Sequence, residues 1–114
     1  MTHTPLLKVY GHIYPADDAL YTSVAQACAC AMPDSDDVPV VEKDGDMIRV
    51  SFEGVYFPVE EVLACLAQRI LPCHQGKLDV LDLENWQMTR HLFQEGRIQS
   101  RTVPLNHVLA YSGH

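Results

Sequence analysis

The chain has no apolar run long enough to span a membrane, and its opening residues, Met1-Thr2-His3-Thr4-Pro5, hold no basic cluster ahead of a hydrophobic stretch. The expectation is a cytoplasmic protein without membrane contact. Bases are scarce as well: 8 Lys and Arg face 15 Asp and Glu in 114 residues, a formal net charge of −7. So few cations argue against direct nucleic-acid binding, because phosphates reward clustered Lys and Arg through counterion release.

The familiar signatures of catalysis are missing too. There is no Gly-x-Ser-x-Gly nucleophile turn, no Gly-rich phosphate loop and no His-Glu-x-x-His zinc pattern. Asp79 and Asp82 stand three apart on an expected strand, which puts them on opposite faces and makes them a poor acid/base couple. The four Cys, at 28, 30, 65 and 73, contain no Cys-x-x-Cys pair, and reduced thiols are expected. Cys28 and Cys30 would point about 200° apart around a helix, unsuited to one metal. Cys28 and Cys65 read as small apolar residues, whereas Cys73-His74, beyond Pro72, is the chemically available pair. A zinc site built in space from Cys73, His74 and either His91 or His107 is the metal alternative, without local spacing to support it. The expectation is therefore no catalytic residue, no cofactor and no enzyme.

What the chain does have is an uneven charge. Residues 1–61 hold 11 acids and 3 bases, a balance of −8, while 62–114 hold 4 acids and 5 bases, a balance of +1. The densest stretch is Asp34, Asp36, Asp37, Glu42, Asp44 and Asp46, which lacks the alternating order of an EF-hand loop. These six are the candidate interaction surface. The opposite tendency, Arg90, Arg97 and Arg101 near Trp86, His91 and Phe93, is better read as packed aromatics with Arg on the other strand face than as a nucleic-acid reader.

Apolar residues make up 47 %, enough for one core in a chain this short, and a single domain over 1–114 is expected. A local string recurs. Gly11-His12-Ile13-Tyr14-Pro15-Ala16-Asp17-Asp18-Ala19-Leu20 aligns without a gap to Gly54-Val55-Tyr56-Phe57-Pro58-Val59-Glu60-Glu61-Val62-Leu63, with a weaker echo at 103–110. This is either an internal pseudo-repeat over about 9–63 and 54–110 or convergence on one capping chemistry. Extended residue, Pro at the first helical position and acids in the first turn together mark a strand-to-helix junction. Helices are accordingly expected over 15–32 and 58–71, with a short C-terminal helix over 104–112.

Strands are expected over 38–41, 47–52, 55–57, 78–83, 86–93 and 97–103, with turns at Asp44-Gly45, Glu53-Gly54 and Glu95-Gly96. The result is an α+β fold, an antiparallel-dominated sheet of about five to seven strands covered on one face by two helices. Its first six elements are compatible with a ferredoxin-like βαββαβ sandwich. The functional expectation is a small acidic protein that binds another protein, an adaptor or regulator, through a sheet edge, the acidic segment or both. Homodimerisation through an open edge is a corollary. Two alternatives stand beside it: an acidic inhibitor that mimics nucleic acid on a target enzyme, and a metal- or thiol-dependent enzyme or sensor using Cys73 and His74.

Overall fold

A computed structural model describes residues 7–35 and 37–106. The elements run β1 (Leu7–Tyr14), α1 (Asp18–Ala27), β2 (Met32–Pro33), β3 (Val41–Asp44), β4 (Met47–Tyr56), α2 (Val59–Arg69), β5 (Gln75–Asp82), β6 (Gln87–Gln94) and β7 (Arg97–Pro104). They form one 7-stranded sheet in the order β2-β4-β1-β5-β6-β7, with β3 also on β4, and every pairing is antiparallel. Within it β1, α1, β3, β4, α2 and β5 give the strand order β5-β1-β4-β3, that of a ferredoxin-like βαββαβ sandwich. The β6–β7 hairpin widens this core beyond β5, and β2 adds a short piece beside β4.

One face of the sheet is dry. Val9 and Ile13 on β1, Ile48, Val50 and Phe52 on β4, Leu78 on β5 and Phe93 on β6 pack with Leu20 and Val24 of α1 and Val62 and Leu66 of α2. Each fully buried side chain of this size contributes about 1.5–3 kcal/mol. Phe52 and Phe57 close one end with ring centroids 5.2 Å apart. The cover thins along β7: Ile98, opposite Phe93, still packs against the core, but Ser100 and Thr102, on the same face as buried His91 and partly buried Thr89, are exposed.

Helix α1 is shorter than 15–32 at both ends. Pro15 is not its first residue: the Ala16 amide donates to the Asp46 carbonyl at 2.6 Å, holding this segment against the β3–β4 turn. The N-cap is Asp17, whose Oδ1 accepts from the Leu20 amide at 2.8 Å. The helix stops at Ala27 because the chain must return to β4, where Met32 and Pro33 pair with Tyr56 and Gly54. Helix α2 follows the expected junction more closely. Pro58 caps it without a side-chain bond, Glu60 and Glu61 occupy its first turn and Arg69 its last, so both ends meet opposite charge.

The turns correct the sequence reading twice. Asp44 pairs directly with Met47, so the β3–β4 loop is Gly45-Asp46, one residue later than expected. Gly45, at φ 64°, takes the first central position, as a tight hairpin needs. Glu53-Gly54 is not a turn, since β4 runs straight through it. Gly54 is small for another reason: a Cβ there would collide with the Met32 carbonyl oxygen and lie 2.8 Å from the Phe52 ring. The Glu95-Gly96 turn is where expected, with φ of 55° and 73°. The expected C-terminal helix over 104–112 lies mostly outside the described residues; Pro104 ends β7, and Leu105 donates its amide to the Trp86 carbonyl at 3.0 Å.

Candidate functional site

The acidic segment forms one edge of the sheet. After β2 the Asp34 amide donates to the Glu53 carbonyl, and before β3 the Ser51 amide donates to the Val40 carbonyl, both at 2.9 Å. Asp34 and Val40 are therefore each fastened to β4. Asp34, Asp37, Glu42, Asp44 and Asp46 are all exposed; Asp36 lies outside the described residues. Glu42 and Asp44 alternate on β3 and face the open side of the sheet, Glu42 opposite Arg49 in register. Among the described residues only Asp44 of these five has a Lys or Arg partner, Arg49 Nη2 at 3.6 Å. Lys43 turns to the helix side, its Nζ 3.3 Å from Asp18 and 2.6 Å from the Gly45 carbonyl.

Around β1, β4 and β5 the face away from the helices is mostly polar and carries ion pairs. Lys8 meets Glu53 at 3.3 Å. Asp79, nearly buried, receives Arg90 through Nε at 2.8 Å and Nη2 at 3.0 Å, and Lys77 approaches it at 3.6 Å. The bidentate hydrogen bond that Arg90 donates to Asp79 raises the Arg90 pKa, against the opposing effect of burial. His12 and Tyr14 stack at 5.8 Å. Burial, with the nearby Glu53 carboxylate second, raises the Tyr10 pKa.

Period-two alternation sorts the C-terminal hairpin. Arg90, Arg97 and Arg101 lie on this open face, whereas His91 and Phe93 face the helices, so the two sets form no joint patch. Trp86 is not packed as expected. It sits at φ 56° in the β5–β6 turn, 44 % exposed, with its indole N–H donating to Asn106 Oδ1 at 2.7 Å.

Cys73 and His74 sit at the α2–β5 corner, in a hollow of about 540 Å³ shared with Asp17 and Arg69. His74 is buried, and its Nδ1 accepts the Leu71 amide hydrogen at 2.8 Å. That bond places the proton of a neutral ring on Nε2, leaving neither nitrogen with a free lone pair. His91 lies elsewhere, under β6, with Nδ1 2.7 Å from Ser100 Oγ. Among the described residues no three His, Cys, Asp or Glu side chains converge as a metal site requires; His107 is outside them. Burial, reinforced by Cys65 and Cys30, pushes the Cys28 thiol up to about 12. Cys73 is exposed but His74 is not, so the two are not available as a pair, and Cys30 is as exposed as Cys73.

The sequence reading missed the open-face residues Tyr10, His12 and Lys77, whereas Arg90 lies on the strand face expected for it. Alternation along Lys8-Val9-Tyr10-Gly11-His12 carries that signal, once β1 is placed centrally in a one-sided sheet. No protein-family model, no curated protein and no solved structure matches the chain. Among the described residues no helix is long and apolar enough to cross a membrane.

Proposed function

We propose that this is a non-enzymatic, cytoplasmic protein-binding domain, an adaptor or regulator, whose partner is a basic protein surface received by the β2–β3 edge. The observation that carries this reading is the row of exposed carboxylates at Asp34, Asp37, Glu42 and Asp46, without Lys or Arg partners among the described residues. Exposed ion pairs within one chain contribute little to stability, so leaving these acids unpaired costs the fold little while supplying a field that speeds encounter with a basic partner. Among the described residues no strand lies beyond β3, which leaves that edge open to strand addition.

The test is affinity capture from the host lysate with wild type and with a variant carrying Asp34→Asn, Asp37→Asn, Glu42→Gln, Asp44→Asn and Asp46→Asn. A partner held at low salt, released at high salt and lost in the variant supports the reading; a partner retained equally by both refutes it. A captured nucleic-acid-binding enzyme that DNA displaces would narrow the partner to the mimicry class, since carboxylates two apart on a strand stand about 7 Å from each other. Light scattering on the same samples decides whether a second copy occupies an edge instead.

A further inference from the structure

Arg90 and Arg101 are direct cross-strand neighbours on the open face of β6 and β7. Like charges placed directly opposite one another work against a sheet, so stability does not explain this pair. Arg90 has its counterion in Asp79, bound through two nitrogens at 2.8 and 3.0 Å, and Asp79 is further engaged by Lys77 at 3.6 Å. Arg101 has no carboxylate within ion-pair distance among the described residues and is exposed. The local balance is thus three cations around one carboxylate, in a protein of net charge −7.

The floor beside these arginines is apolar. Met88, Leu92 and Val103, on the face that strand alternation usually leaves polar, are only half-exposed and line a hollow of about 540 Å³ with Arg90, Gln99 and Arg101. Volumes of this order suit small ligands. The overall negative charge disfavours a polyanion such as nucleic acid, yet a single anionic group meets a guanidinium fork shaped for carboxylate or phosphate.

We infer that this hollow is a binding site for a small organic anion, a flat apolar body carrying one phosphate or carboxylate, with Arg101 as the anchoring group. The hydrogen bonds from Arg90 to Asp79 hold the second guanidinium in place, and Met88, Leu92 and Val103 receive the apolar body. The site lies on the β7 side of the sheet, away from the acidic edge, and does not depend on the function proposed there.

Methyl-resolved NMR on the full chain tests it, with phenyl phosphate as probe and inorganic phosphate and phenol as controls. Saturable shifts of the Met88, Leu92 and Val103 methyls with phenyl phosphate, about tenfold weaker binding in Arg101→Gln and an intermediate loss in Arg101→Lys are expected. Unmoved methyls would overturn the assignment, as would undiminished binding by a folded Arg101→Gln protein. Equal affinity for phenol removes the anionic requirement, and equal affinity for inorganic phosphate removes the apolar one; either result also refutes the site as described. Titration with an acidic peptide separates a further occupant. Tighter binding of that peptide, mapped to the β7 amides rather than to the methyls, would reject the small-molecule assignment.

Discussion

Leu71 and His74 bracket Pro72 with a reciprocal pair of hydrogen bonds: the Leu71 amide donates to His74 Nδ1 at 2.8 Å, and the His74 amide donates to the Leu71 carbonyl at 2.9 Å. Both bonds lie where α2 has ended and β5 has not begun, so the imidazole acts as a corner brace. His74→Ala leaves a Leu71 donor without its partner and should cost about 1–3 kcal/mol. His74→Asn, whose Oδ1 can take the place of Nδ1, should recover much of the loss. Thermal denaturation of the two variants gives the comparison.

His91 is buried, and burial lowers its pKa from the ordinary 6.5, against a smaller opposing effect of Asp79. The unfolded chain therefore binds this proton more readily than the folded one. The stabilisation from keeping His91 neutral is complete above pH 6.5 and is lost as pH falls from there through the depressed folded value. Urea midpoints at about pH 7.5 and about pH 5 should differ more in wild type than in His91→Gln. Equal pH dependence in the two would contradict the assignment.

The thiols should separate by rate. Cys30 and Cys73 are exposed, Cys65 is half-buried and Cys28 is buried with its pKa pushed up to about 12. At neutral pH a thiol reagent should modify Cys30 and Cys73 first, Cys65 more slowly, and Cys28 only on unfolding, because the thiolate is the reacting species. Mass spectrometry of partly modified protein reads the order directly.

At Gly54 there is room for a hydrogen and nothing larger, since the Met32 carbonyl and Pro33 Cα lie against it. Gly54→Ala should displace β2 from β4 and destabilise by about 1–3 kcal/mol, the range for overpacking. Gly45→Ala meets no neighbouring atom and should be penalised only for its positive φ. Denaturation midpoints should therefore fall further for Gly54→Ala, and Asp34 amide exchange should quicken with loss of its bond to Glu53.

Local grammar announced most of the architecture. The amphipathic spacing of Val62, Leu63, Leu66 and Ile70, and the Glu95-Gly96 turn, are one-segment properties that survive folding unchanged. Helix α1 is different: its start is decided by the Ala16–Asp46 bond and its end by the demand of β2 for the edge of β4, contacts between distant segments that no window contains. Gly54 misleads for the same reason, because a glycine beside an acid reads as a turn, whereas here it admits another strand. The acidic residues could be found from composition, but their unpaired state could not. Arg90 and Arg101 could each be placed on a strand face, while their meeting across the ladder required the register.

β4 carries two short neighbours along a single flank, β2 near Gly54 and β3 near Val50, and between them Asp34 and Val40 are fastened to Glu53 and Ser51. A protease needs its substrate drawn out as an extended segment, and this span cannot be drawn out until one of its fastenings gives way. Limited proteolysis between residues 34 and 40 is consequently a gauge of how often that flank comes undone.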